Sequence, residues 1–508
     1  MTREPVTVGR AGFLGCLVVV LGVLLLAGLL SACGDDGAAA RVAIELDVPV
    51  DDRGGALLAD LDSLDFRVSD GGQFVATQLY QVERGLPVDL RLPSVPTGSQ
   101  ILFDLSGISR SLPVAYGRTC RLVVNPDDET ISARLYFSRI GRFRTGQPPL
   151  QPARESAVMF SDDQGRAFVT GGSADRVVEL FDPRVGEFRA VGEAEGRVGG
   201  AIAVRANGTA VVAGGIEPDG GAPLAAVEVI NPASPDDRFI ERLEPDSPEA
   251  ARTGLTLVAL PDRSVLLAGG RTADGAVTDG LALLNDGDDE FRASGLMAQP
   301  RTGHTASIGL GDVVYLIGGI TSDVDTGESA TGSIELYRPQ DQTIRTLTAT
   351  LGVPRFGHTA TALGDGRILV VGGKSPRAAP CDGDSTVDPE TCFEAVSAVE
   401  VFDPIIGQVR SIDPGIPGGI YDHTATLVAG GRVLIAGGFD GDDVPSDRAW
   451  LFDPQVEALV PTRELSRGRA RHTATELCDG TVLLVGGDSS DGQPLSSERY
   501  VPASDRPP

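Results

Sequence analysis

Lysine, tryptophan, histidine and aromatic residues are all scarce in this chain. Its 508 residues include one lysine (Lys374), one tryptophan (Trp450) and four histidines, and aromatics make up 5%. Its 43 basic residues, nearly all arginine, face 71 acidic ones, for a formal charge of −28. Nucleic acid is excluded as a partner, because phosphate binding depends on clustered lysine and arginine. The arginine bias reads as genome base composition and not as recognition. No His-Glu-x-x-His, Cys-x-x-Cys or nucleophile-elbow motif is present, so zinc-protease, thiol-redox and α/β-hydrolase chemistry have no sequence support. A hydrophobic content of 41% supports folded structure, and the length allows more than one domain.

Glycine, in contrast, is abundant and ordered. Seven Gly-Gly pairs end short apolar runs: Gly171-Gly172, Gly214-Gly215, Gly269-Gly270, Gly318-Gly319, Gly372-Gly373, Gly437-Gly438 and Gly486-Gly487. Arg-x-x-His-Thr-Ala stands upstream of several pairs, as in Arg301 to Ala306 and Arg355 to Ala360. Val-Glu-x-Phe-Asp-Pro follows others, as in Val178 to Pro183 and Val399 to Pro404. Each unit reads as four strands. In the fifth they are His358 to Leu363, Arg367 to Val371, Val399 to Phe402 and Gln408 to Ile412. Runs of Val, Ile and Leu bounded by Gly, Asp and Pro are strand signals. Asp365-Gly366 and Asp479-Gly480 suit tight hairpin turns, and the Asp-Pro after the third strand removes a ladder donor.

These units resemble kelch repeats over residues 140 to 502, about 70% of the chain. The resemblance rests on the Gly-Gly pair, the third-strand aromatics (Phe181, Tyr337, Phe402, Phe452, Tyr500) and the fourth-strand phenylalanines Phe188, Phe239 and Phe291. Two departures stand out: the fourth-strand tryptophan of the family is missing, and the third unit has Leu281 to Asp286 where Glu-x-Phe-Asp-Pro is expected. A period of about 52 residues fits a kelch propeller. The resemblance implies an all-β fold, a seven-bladed kelch-like β-propeller over 139–502, with residues 503–508 a disordered tail. The last unit runs out of chain after its third strand, so Gly141 to Leu150 is expected to supply the missing fourth and close the ring. Closure leaves short sheet edges and favours a monomer.

Residues 41–138 lack the repeat but alternate apolar and polar residues, as in Val42 to Val48, Leu64 to Val68, Val88 to Leu92, Ile101 to Leu105, Cys120 to Val124 and Ile131 to Tyr136. They read as a small β-sandwich, loosely resembling immunoglobulin-like modules, whose expected role is a spacer. Residues 1–32 carry a basic start and an apolar run, the pattern of a signal peptide. Leu30-Ser-Ala-Cys33 resembles the lipobox of bacterial lipoproteins, which implies acylation of Cys33, residues 33–40 as a flexible tether, and anchorage in the cell envelope. The alternative is a plain transmembrane anchor. Gly34 after the cysteine favours the outer membrane. Cys381 and Cys392 share one long insertion and are expected to form a disulfide. Cys120 and Cys478 fall in different domains, and a bond between them stays open.

Three groups of residues could carry function. His304, His358, His423 and His472 invite a metal, but they occupy one repeated place in four units, so they read as structural and no metal or other cofactor is expected. The loops between second and third strands are acidic, with Asp323, Asp325, Asp384, Asp388, Asp440, Asp442 and Asp443. Carboxylates so clustered could hold calcium, although none matches the calcium-loop pattern and solvated loops are the plainer reading. Arg154, Arg252, Arg301, Arg355 and Arg471 stand at the unit entrances. In some kelch proteins such arginines bind acidic ligands, whereas here they could instead pair with acids in neighbouring blades. The expected function is a binding scaffold for protein or glycan on the long-loop face. The opposing expectation is a carbohydrate-active enzyme of the kelch mutarotase/epimerase type.

The lipobox reading has a direct consequence. Two acyl chains hold a protein stably to a bilayer, whereas one gives marginal binding. Cys33→Ala is therefore expected to abolish incorporation of labelled fatty acid and to block removal of the signal peptide. Undiminished labelling of that variant would reject the anchor.

Overall fold

The computed structural model describes residues 39–49, 57–82, 95–96, 100–125, 130–146, 148–149, 154–234, 239–323, 327–377 and 392–502. Cys33, Cys381, Asp325, Asp384 and Asp388, the signal peptide and the 503–508 tail lie outside them. The described residues are all-β, with strands in many small antiparallel sheets and no α-helix among them. Two compact units meet in the sequence between Arg139 and Ile140.

Among the described residues the N-terminal unit has two sheets. Ala39–Asp47 lies between Val95–Pro96 and Thr130–Tyr136, running parallel to the latter. The larger sheet orders Gln73–Gln81, Ser63–Asp70, Gln100–Ser109, Leu112–Arg118 and Ser138–Arg139, with Leu122–Val123 also on Gln100–Ser109. Ile44, Leu46 and Leu135 from the first sheet share one apolar core with Leu64, Phe66, Phe103 and Leu105 from the second. Four of these strands are not among those read from the sequence: the two-residue Val95–Pro96 and Ser138–Arg139, and the longer Gln73–Gln81 and Leu112–Arg118. Gln73–Gln81 is largely exposed, so burial imposes no alternation on it, and Leu112–Arg118 carries a strand-breaking proline, Pro113, at its second position. Val88 to Leu92 lies outside the described residues.

The C-terminal unit contains seven four-stranded antiparallel sheets among the described residues. Their first strands are Val158–Ser161, Ala201–Val204, Thr256–Ala259, Thr305–Gly309, Thr359–Ala362, Thr424–Val428 and Thr473–Glu476. We number the sheets one to seven in that order. Sheets one to six follow the chain strand by strand. Sheet seven takes three strands from the C-terminus and its fourth from residues far upstream, where Arg142–Thr145 pairs antiparallel with Glu498–Val501.

Second strands such as Ala210–Ala213, Val265–Ala268 and Val482–Val485 are buried at every residue. A strand covered on both faces has no reason to alternate, which explains the wholly apolar runs in the sequence. Apolar clusters lie between consecutive sheets. Phe168 and Leu180 of sheet one pack with Val212 and Phe239 of sheet two, and Leu369 and Val401 of sheet five pack with Val433 and Phe452 of sheet six. A further cluster joins Leu483 and Val485 of sheet seven to Val169 and Phe181 of sheet one. The arrangement is consistent with a β-propeller-like fold.

Phe143, on the upstream strand, stacks against Tyr500 at 4.9 Å between ring centroids, and both are buried with Leu434 and Leu484. Burying large apolar side chains is worth about 1.5–3 kcal/mol each. A chain beginning at Gln151 is therefore expected to melt well below one beginning at Ser138, or to aggregate. Equal melting temperatures would show that Arg142–Thr145 contributes nothing to sheet seven.

Candidate functional site

The entrance arginines come first, because burial decides what they can do. Arg154, Arg197, Arg301, Arg355 and Arg469 are each removed from solvent. Each faces a glutamate on the third strand of its own sheet. Arg154 lies 3.4 Å from Glu179, Arg197 2.8 Å from Glu228, Arg301 2.7 Å from Glu335 and Arg469 2.5 Å from Glu498, while Arg355 bonds Glu400. Nη1 also donates to the carbonyl of the first glycine of the pair, 17 residues on. The glutamate in turn accepts a backbone N–H from the incoming connector, from Glu195, Ala298, Gly352 or Ser466.

Two sheets vary the theme. Sheet three has Ala282 where the glutamate belongs, and Arg252 turns to Glu249, three residues upstream. Sheet six has Ile420 for the arginine and Trp450 for the acid, and both join one apolar cluster. Arg154, Arg252, Arg301 and Arg355 are thus not ligand-face residues, since their charge is spent inside the fold. The glutamates paired with Arg154, Arg301 and Arg355 also lie in their own sheets and not in neighbouring ones, while Glu249 lies on the connector before sheet three. Arg471 departs in another way: the repeat position in its sheet is Arg469, and Arg471 is exposed two residues later.

The four histidines are buried, one in each of sheets four to seven. Nε2 of His304, His358, His423 and His472 lies 2.9–3.0 Å from Oγ1 of Thr256, Thr305, Thr359 and Thr424, each on the first strand of the preceding sheet. These histidines also crowd the glycine pairs of sheets three to seven. A Cβ on Gly318 would lie 2.8 Å from Cε1 of His358, and one on Gly319 would lie 2.8 Å from Cβ of His304. The pair threads between two histidines, where only glycine fits. Among the described residues no group of three or more His, Cys, Asp or Glu is placed to hold a metal.

The acidic loops are partly spent as well. Asp440 Oδ1 accepts the backbone N–H groups of Asp442 and Val444, holding its turn. Asp443 accepts the Tyr421 hydroxyl. Glu328 takes both Nη atoms of Arg271, at 2.7 and 2.8 Å. Asp323 ends the strand Ile320–Asp323, and Asp442 is exposed. Cys120, Cys392 and Cys478 each sit in a disulfide.

What remains is a collar that single-motif reading does not show. The second residue after each entrance position has a left-handed backbone: Ser156, Gly199, Gly254, Gly303, Gly357, Asp422 and Arg471, with φ from 51° to 69°. Their peptides bond to one another across the sheets. Gly199 donates to Ser156, Gly303 to Gly254, Gly357 to Gly303, Asp422 to Gly357, Arg471 to Asp422 and Ser156 to Arg471. Four of the seven are glycine. The three that carry side chains belong to the adjacent sheets six, seven and one.

Chemistry gathers at that same side. Tyr421 and Phe439 stack at 5.1 Å, with Lys374 Nζ 4.0 Å from the Tyr421 ring centre and the Arg471 guanidinium 5.1 Å from that of Phe439. Arg471 lies 3.5 Å from Asp422 and 3.2 Å from Asp488. Burial holds the Asp422 carboxyl above the usual range, opposed by Arg471 and Lys374. The Asp488 carboxylate, with some burial, raises that of Glu155. Burial and donation to Asp443 raise the Tyr421 phenol. The matching places in sheets two and four hold Val198, Ile216, Thr302 and Ile320.

The histidines make an acid prediction. Desolvation lowers His304 and His423 from 6.5 to about 3, so the fold favours the neutral ring. Their stabilisation is complete above pH 6.5 and is lost as pH falls from there towards 3. Each proton taken up only on unfolding costs about 1.4 kcal/mol per pH unit. Melting temperature is expected to fall from pH 6.5 to 4.5, and His304→Gln with His423→Gln to flatten that slope. An unchanged slope would show that other groups control it.

No family model matches the chain, and no curated protein matches it. The solved structure of YjhT aligns with 13% identity over 62% of this chain and 99% of its own, with a TM-score of 0.49.

Proposed function

We propose that the seven sheets are the blades of a closed kelch-like propeller, held in the cell envelope by an acylated Cys33, with the N-terminal unit as spacer. Support for closure comes from the apolar cluster between sheets seven and one, the pairing of Arg142–Thr145 with Glu498–Val501 and the Ser156 bond to Arg471. The protein works as a binding module for a glycan, taken at the collar face on the side of sheets five, six, seven and one.

One observation carries this reading. The repeat offers seven equivalent places around the collar, yet the aromatic side chains and most of the charged ones concentrate on one side of it, the exception being Arg271 of sheet three, which is paired with Glu328. Scaffold needs are the same in every sheet, so they do not account for the asymmetry. Loops on a rigid frame are where binding residues usually lie. Alternating carboxylates and cations offer both halves of a hydroxyl's hydrogen bonding.

The single lysine gives the test. Lys374 is the one lysine of the chain and so the one side-chain amine open to acetic anhydride. A glycan that binds on an array is expected to slow acetylation of Lys374 by about tenfold at 10 times its Kd. Unchanged acetylation under saturating glycan would place binding elsewhere. A second reading, sugar mutarotation, is favoured by the raised carboxyls of Glu155 and Asp422 beside Arg471. That reading requires faster exchange between anomers in NMR spectra, lost in Glu155→Gln; binding alone leaves the exchange rate untouched.

A further inference from the structure

The collar allows a more specific inference, which rests on the glycan reading above. We propose that Asp422, Arg471 and Ser156 form a subsite for the vicinal diol of an uncharged sugar, with the collar glycines Gly199, Gly303 and Gly357 leaving room for the body of the ligand.

The geometry begins with the backbone. All seven collar residues share one left-handed conformation, and six backbone hydrogen bonds link them in series from Gly199 through Ser156 and Arg471 to Gly254. Glycine satisfies that conformation without steric cost, and L-residues other than Asn and Asp adopt it reluctantly. Gly199, Gly303 and Gly357 would meet nothing closer than 3.5 Å if a Cβ were added, so at these places the backbone angle and not crowding favours glycine. Arginine and serine at Arg471 and Ser156 therefore keep a side chain where the fold prefers none. Residues held in sparsely populated conformations tend to cluster at ligand sites.

The side chains then supply an ordered array. Asp422 Oδ2 lies 3.5 Å from Nε of Arg471, and Asp488 Oδ2 lies 3.2 Å from its Nη1. The order is acceptor, donor, acceptor, and the Ser156 hydroxyl belongs to the next collar residue, whose N–H binds the Arg471 carbonyl at 3.0 Å. A sugar hydroxyl both donates and accepts. Two neighbouring hydroxyls can each donate to one carboxylate while accepting from the guanidinium between them. The Arg471 side chain is 46% exposed and that of Asp422 36%, so both reach a ligand. Gly357 lies beside Asp422, where a Cβ would sit 3.5 Å from Oδ1.

Charge selects against acids. Asp422, Asp443, Asp488 and Glu155 outnumber Lys374 and Arg471 on this side, and the whole chain carries −28. Both cations are already engaged, Arg471 with Asp422 and Asp488 and Lys374 3.9 Å from Asp443. A ligand carboxylate would meet that surplus of negative charge with Lys374 and Arg471 already engaged. The ligand is a neutral sugar and not a uronic or sialic acid.

The test uses the full-length protein and saturation-transfer NMR, with methyl α-mannoside, methyl β-galactoside and methyl β-glucoside as neutral probes and methyl β-glucuronide as the acidic one. At least one neutral glycoside is expected to bind, and the glucuronide to bind about tenfold more weakly than methyl β-glucoside or not at all. Arg471→Gly supplies the residue that four collar positions already have, so it should fold with an unchanged or higher melting temperature while weakening binding by about tenfold or more. Asp422→Asn, which keeps the shape, should weaken it as well. If Arg471→Gly folds and binds like the wild type, or the glucuronide binds as tightly as the glucoside, the diol subsite is wrong. Continued protection of Lys374 by an array glycan would then leave the broader glycan reading standing. If no glycoside binds and no array glycan protects Lys374, both fall.

Discussion

A guanidinium without water around it must find its hydrogen bonds within the protein, and in five sheets of this chain it finds the same ones. Arg154, Arg197, Arg301, Arg355 and Arg469 each join a first-glycine carbonyl to a third-strand glutamate. That one contact fixes the entrance of the chain, the end of the second strand and the start of the third. Through the glutamate it also holds a connector N–H in four sheets. Such pairs are poor sources of net stability, since desolvation offsets much of the attraction, but removing one partner strands a buried charge and costs about 3–5 kcal/mol. Sheet six makes the point from within the molecule. There arginine and glutamate are replaced together, by Ile420 and Trp450, and the site packs as apolar core. Either both charges are present or neither is.

The glycine pairs follow from the same crowding. With the arginine bonded to the first glycine's carbonyl and histidine rings on both sides, no Cβ can be fitted at Gly318 or Gly319 without displacing a neighbour. The motif visible in the sequence is thus a footprint of its surroundings. This is why the strands could be read so far in advance. For the fifth unit the sequence suggests His358 to Leu363, Arg367 to Val371, Val399 to Phe402 and Gln408 to Ile412, and the strands found are Thr359–Ala362, Ile368–Val371, Val399–Asp403 and Gln408–Ile412. Periodic burial and turn chemistry act locally, so they leave a local trace.

The entrance arginines were legible as positions but not as roles, because a sequence gives spacing without direction or burial. Arg471 lies two residues out of register with Arg301 and Arg355, and Arg197 is followed by Val198-Gly199-Gly200 in place of x-x-His. A signal was nonetheless present. The third-strand glutamate is missing in two units, at Ala282 and Trp450, and in one of these the arginine is missing too, at Ile420. Joint loss within a repeat points to contact. The collar left a weaker trace, since it depends on backbone angles and on bonds between residues about 50 positions apart.

A repeat also offers a way to separate scaffold from function without any other sequence to compare. What most sheets share is explained by what the fold needs there: partners for a buried guanidinium, room for a histidine, and a backbone bond along the collar. Departures from the shared pattern then divide into two kinds. Some are compensated where they occur, as Ile420 is by Trp450 and as the absent acid opposite Arg252 is by Glu249. Others have no partner change that the fold requires. Arg471 and Ser156 hold left-handed angles that glycine would adopt more cheaply, and their side chains point the collar's chemistry to one side only. Natural proteins keep destabilising residues where an activity depends on them. An uncompensated departure on an otherwise symmetric frame is therefore the physical mark of a site, and here such departures fall in the adjacent sheets seven and one, beside Asp422 of sheet six.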